Sequence, residues 1–210
     1  KQMIAECLEC GDSFGVALIR EGDEAGDPQM TPHEIGTTAE ICDVTPLENG
    51  RYYISTTGRR RFRIEHVISR EPYLLADVTF LGEELAPDVT VLEQLVDEIR
   101  DVFHEYLRLL VDFSGMQVEI ILPPDPSDAS FVIGDSLQVA DSMKQRLLEL
   151  SDTEQRLTVE LGFLRRLLPQ LRSLLERKRE TPRQRRGEAQ SGGAFRTRQE
   201  KYFGKFFSLN

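Results

Sequence analysis

Sulfur, histidine and tryptophan are scarce in this chain. Of 210 residues three are cysteine (Cys7, Cys10, Cys42), three are histidine (His33, His66, His104) and none is tryptophan. Cys7 and Cys10 form a CxxC, but a structural zinc site takes four soft ligands, usually as two close pairs, and there is no second pair. A redox CxxC opens a helix that follows a buried strand. Here no strand pattern precedes it, and Met3, Ile4, Cys7 and Leu8 fall along one helical face. The expected arrangement is a short helix with Cys7 packed inward, Cys10 in the last turn and Gly11 ending it. The phosphate-binding GxxxxGK[ST], the dinucleotide GxGxxG and the zinc-protease HExxH are all missing. No apolar run reaches the ~18 residues of a spanning helix, and no charged-then-apolar leader precedes the first helix. The expectation is a cytoplasmic chain with no catalytic residue, no cofactor and no metal.

One motif imitates chemistry. Residues 134 to 137 read Gly-Asp-Ser-Leu, the nucleophile motif of a large family of serine esterases. In those enzymes the serine lies near the N-terminus and its histidine near the C-terminus, whereas every histidine here precedes Ser136. Asp135 or Ser136 is read instead as the N-cap of an amphipathic helix.

Charge is uneven. The formal net charge is −10, yet the stretch from Arg177 to Lys205 holds ten basic and three acidic residues, leaving −17 on the remainder. An acidic body with a basic tail is a poor nucleic-acid binder except through that tail.

The period of the hydrophobic pattern changes near residue 85. Before it lie short runs rich in β-branched and aromatic residues, at 14–20, 36–44, 51–57, 60–68 and 73–81, separated by turn formers such as "TPLENG" and "TG". This spacing suits an antiparallel sheet or barrel. After residue 88 the period is helical: Leu92, Leu95, Val96, Ile99, Val102, Phe103, Tyr106, Leu107 and Leu110 share a face. Capping-box patterns at Thr90–Glu93, Asp135–Gln138 and Ser151–Glu154 mark three helix starts. Residues 121–131 read as a loop, Pro169 as a kink or break, and 177–198 as a basic linker.

The stretches "KQMIAECLECGDSFGVALIREG" and "IGTTAEICDVTPLENGRYYISTTGRRRFRIEHVISREPYLLADVTFL" resemble the N-terminal substrate-binding domain of Lon proteases, in which "GT.A.I", "L..GR" and "G..RFRI" mark successive strands. The likeness covers about residues 1 to 82, and "SMKQRLLELSDTEQRL" resembles the family more loosely. It implies an α+β fold: a small PUA-like antiparallel β-barrel (1–84) followed by an α-helical bundle (85–176). Beyond these lie the linker (177–198) and a tail segment (199–210).

The resemblance also implies the role, a noncatalytic module that recognises a polypeptide client or partner protein and carries no ATPase or protease domain. The family opens with further strands, so some 20 to 30 residues supplying them are expected before Lys1. Nucleic-acid association through the basic tail is the alternative, disfavoured by the acidic body. In "EKYFGKFFSLN", Lys201, Tyr202, Phe203, Lys205, Phe206 and Phe207 make a basic-aromatic face. It is read as a partner-binding anchor or a segment docking on its own body, with membrane contact a minor third possibility.

Overall fold

The structure is a computed structural model describing residues 1–22, 29–47, 51–84, 89–115 and 120–185; side chains are described for these except at 89 and 180–185. The elements in chain order are α1 (Gln2–Cys10), β1 (Phe14–Val16), β2 (Ile19–Glu21), β3 (Thr31–Pro32), β4 (Ile35–Leu47), β5 (Arg51–Ser69), β6 (Leu75–Phe80), α2 (Val89–Ser114), α3 (Pro126–Ser136), α4 (Asp141–Glu149) and α5 (Thr153–Arg185). They fall into two compact units. One comprises Lys1–Ala86 with Asp141–Thr153, the other Pro87–Ala140 with the residues from Glu154 on. The sheet-bearing unit thus takes in 141–153, a stretch that hydrophobic period alone groups with the helices.

The first unit is built on one long hairpin. β4 and β5 pair antiparallel from Ile35↔Arg63 to Leu47↔Arg51. β1 adds to β4 at Thr37–Ala39, and β6 adds to β5 at Phe62–Ser69, giving the antiparallel order β1-β4-β5-β6 beside a separate β2-β3 pair. The expected barrel is not formed. Closure requires the outermost strands to meet, but β1 has three residues and β6 six, and they flank different stretches of the hairpin. The sheet stays open, and the fold is mixed α and β with antiparallel sheets.

The "TG" read as a break lies inside β5, where the register shifts between Thr37↔Arg61 and Ala39↔Gly58. The Thr38 hydroxyl accepts from the Arg60 amide at 3.1 Å there, so a β-bulge rather than a turn absorbs the irregularity.

Both faces of β5 are covered at Arg61-Phe62, and both residues are buried. The Phe62 ring lies against glycines: a Cβ on Gly36 would fall 2.5 Å from the Val16 carbonyl and 2.7 Å from that ring. On the opposite face the Arg61 guanidinium donates to the carbonyls of Leu148 (2.8 Å), Leu150 (3.0 Å) and Gly82 (3.1 Å) and to the Glu83 carboxylate (2.6 Å). A cation thereby satisfies the orphan carbonyls at the C-terminus of α4. Gln145 fastens the same helix by donating to the Ile35 carbonyl at 3.0 Å.

Helix α1 ends as expected, with Gly11 left-handed at φ 71° and the Asp12 amide donating to the Cys7 carbonyl at 3.0 Å. Cys7 is half-buried, and burial pushes its thiol pKa up, while Cys10 is exposed.

In the second unit, α2 and α5 carry matching 4-3 repeats. Val96, Ile99, Phe103 and Tyr106 are buried on α2, and Leu157, Leu161, Leu164, Leu168 and Leu175 on α5. Glu98 pairs with Arg165, Glu105 with Arg172, and Asp112 with Arg179 at 3.9 Å. Each pair is one heptad beyond the last with a constant offset in number, so the two helices run in the same direction. The continuous leucine stripe explains why α5 passes through Pro169 without ending: burial on both sides of the proline outweighs one lost backbone donor. The helix also continues to Arg185, through the first residues of the segment read as a linker, which is rich in good helix formers.

Two further expectations are corrected. Residues 121–131 contain the start of α3, where the Asp125 carboxylate accepts from the Asp128 amide at 3.0 Å and Pro126 opens the helix. Asp135 and Ser136 therefore end a helix rather than cap one, and the Ser136 hydroxyl donates back to the Val132 carbonyl at 2.7 Å.

Candidate functional site

Two surface features of the sheet-bearing unit have the chemistry of recognition. The first is β6. Among the described residues it bonds on one side only, to β5, and its sequence Leu-Ala-Asp-Val-Thr-Phe contains no proline and no lysine. Sheet edges are ordinarily blunted by such residues. Here Leu75 is 50% exposed and Phe80 44%, with Val78, Val67 and Ile68 also open to solvent. The Leu81 amide donates to the Arg61 carbonyl and the Ile64 amide to the Glu34 carbonyl. By antiparallel alternation the amides of Val78 and Phe80 therefore point away from β5. The edge has an extended shape, backbone donors that point away from the sheet and apolar side chains on both faces. The Arg60 guanidinium stacks 3.7 Å from the centroid of the Phe80 ring and stiffens one end.

The second feature is an open groove of about 260 Å³ lined by Arg20, His33, Glu34, Ile35, Arg63 and Glu149. β4 and β5 place Ile35 and Arg63 opposite each other, and α4, held by Arg61 and Gln145, brings up Glu149. Glu149 accepts from Gln145 Nε2 at 2.9 Å and faces His33 Nδ1 at 3.5 Å. Among the described residues Arg63 has no ion pair or side-chain hydrogen bond, and the ion pair of Arg20 is a loose one at 3.9 Å with neighbouring Glu21.

The expected partner-binding residues Lys201, Tyr202, Phe203, Lys205, Phe206 and Phe207 lie outside the described residues. Sequence reading missed both surface features. The β6 edge had a signal, since residues 73–81 alternate without proline or lysine, but which strand forms an edge depends on sheet order. The groove had none, because its residues come from four separate segments.

The second unit also buries polar side chains. Arg156 is fully buried, donating to Ser130 Oγ at 2.7 Å and stacking 4.0 Å from the Phe131 ring centroid. Glu160, one turn on, is also fully buried, and neither of its carboxylate oxygens has a hydrogen-bond partner among the described residues. Burial raises its pKa to about 9 against the opposing pull of Arg156, so it is neutral at pH 7. Burial likewise pushes Tyr106 up to about 12; its hydroxyl accepts from the Gln138 amide at 2.9 Å.

A comparison with protein families matches residues 1–166 to the substrate-binding domain of the ATP-dependent protease La (LON). The chain is 26% identical over 166 residues to the Lon protease of Amoebophilus asiaticus, covering 78% of this chain and 20% of that protein. It is 28% identical over 133 residues to the Lon protease of Brevibacillus choshinensis, covering 63% and 17%. The chain thus spans about a fifth of the length of these relatives. Among solved structures it resembles a Lon N-terminal domain protein from Xanthomonas campestris, with a TM-score of 0.50 and 22% identity over 77% of this chain and 81% of that one.

Proposed function

The chain belongs to the substrate-binding-domain family of the ATP-dependent protease La (LON), and on that premise we propose that it is a noncatalytic module that captures extended, apolar segments of polypeptide clients. The observation carrying this reading is the unprotected edge of β6. An extended client segment adds there as a further antiparallel strand: main-chain bonds to the outward amides supply sequence-tolerant affinity, and Leu75, Val78 and Phe80 favour apolar side chains. Nucleic acid is a poor candidate, because the body outside the basic tail carries −17. Among the described residues no helix is long and apolar enough to cross a membrane, and a cytoplasmic setting suits the reading.

The test is Val78→Pro. Proline at this position removes an outward donor while sparing the bonds between β6 and β5. Binding of a fluorescent, β-prone apolar peptide, read by anisotropy, is expected to fall at least about tenfold, the loss of one or two backbone bonds together with edge geometry. The circular dichroism melt is expected to stay close to that of the parent. Unchanged affinity in a folded Val78→Pro protein refutes strand addition at β6.

A further inference from the structure

We propose that the groove between β5 and α4 is a carboxylate subsite, taking an acidic side chain or the terminal carboxylate of a bound polypeptide on the guanidinium groups of Arg63 and Arg20. As an assignment of client chemistry it rests on the recognition reading above; as a binding site it stands on its own geometry. Arg63 has no partner among the described residues, and Arg20 has only a loose contact with an exposed neighbour. A guanidinium presents five donors in a planar fork matched to a carboxylate, and being weakly hydrated it gives up water readily.

The local acids do not quench these cations. Glu149 is engaged by Gln145 and directed at His33, and Glu34 forms no ion pair among the described residues. Ile35, nearly buried, supplies an apolar wall for the methylenes behind a carboxylate. About 260 Å³ falls below the usual range for drug-sized ligands and suits a single residue. Glu34 and Glu149 on the rim, within an acidic body, oppose a dianion such as phosphate more strongly than a monoanion.

The two sources of a carboxylate are separated by small probes added to the full chain: the α-amide of N-acetylglutamate carries only the side-chain acid, and N-acetylglycine only the terminal one. The α-amide of N-acetylglutamine is the neutral control. The readout is NMR of the Arg20 and Arg63 Nε–H groups and the His33 ring. Saturable shifts are expected with at least one acid and none with the neutral amide, and the tighter acid identifies the source. Arg63→Gln is expected to weaken that acid at least about tenfold. The proposal is overturned if neither acid shifts these groups, if the neutral amide shifts them equally, or if Arg63→Gln leaves the affinity unchanged. Because the probes need no client, acid binding without peptide capture would sink the recognition reading and keep the site. Peptide capture without acid binding would do the reverse.

Discussion

Glu160 gives the protein a stability that should fall as pH rises. Its carboxyl is fully buried, has no hydrogen-bond partner among the described residues and titrates at about 9 rather than 4.5 because burial disfavours the charged form. Between those values the folded chain holds a proton that the unfolded chain has released. Each unit of rising pH in that window therefore removes about 1.4 kcal/mol of stability, or about 3 kcal/mol from pH 6 to pH 8. The contribution is fully present below about pH 4.5 and is lost as pH rises through about 9. Glu160→Gln keeps the shape but has no proton to lose, and Glu160→Leu removes the polar group altogether. Urea unfolding of all three proteins at several values between pH 6 and pH 8 separates this effect from every other titration, because only the difference from the parent matters. The stability of each variant relative to the parent should increase with pH by about 3 kcal/mol over that range. Curves that run parallel would refute the reasoning and mean that Glu160 is ionised in the folded protein.

Three further outcomes are expected. Arg61→Met should cost about 1 to 3 kcal/mol in denaturant titration, since it removes the donor that serves the Leu148, Leu150 and Gly82 carbonyls and the Glu83 carboxylate; Arg61→Lys, with one ammonium in place of a fork, should recover only part of this. Gly36→Ala should lower stability by about 1 to 3 kcal/mol, because the new methyl meets the Val16 backbone oxygen as well as the Phe62 ring; a neutral result would show that β1 can retreat. Deleting residues 199–210 should leave the thermal melt unchanged and reduce partner capture if the aromatic tail is an anchor, whereas a lower melting temperature means that it docks on its own body.

Much of the fold was legible, and the misses have identifiable causes. Alternation located β4, β5 and β6, and the heptad leucines located α2 and α5, because each pattern is sustained over many residues. The Thr57-Gly58 pair failed as a turn signal because a glycine inside a strand serves a bulge equally well. Gly-Asp-Ser-Leu drew the cap to Asp135 while the working cap, Asp125 before Pro126, was hidden in a proline-rich stretch that looks like a loop. Barrel closure could not be read at all, since strand length and order at the edges are set by pairings distant in sequence. Of the candidate sites, the alternating pattern of β6 was visible but its edge position was not. Arg20, His33, Arg63 and Glu149 become neighbours only once α4 returns to the sheet.

That return imposes an order in time. Arg61 and the α4 carbonyls it holds are 87 residues apart in the chain. At the ribosome, where synthesis proceeds at about 5 to 20 residues per second, roughly 4 to 17 s separate the appearance of the arginine from that of its partners. Throughout that interval α2 and α3 are being made, so the sheet-bearing unit begins first but is completed only after most of the intervening helices exist. The nascent chain accordingly carries the Arg61 guanidinium without its α4 partners for seconds. A stop or a fusion junction placed between residues 86 and 141, which would look like a safe boundary on hydrophobic period alone, would make that transient exposure permanent.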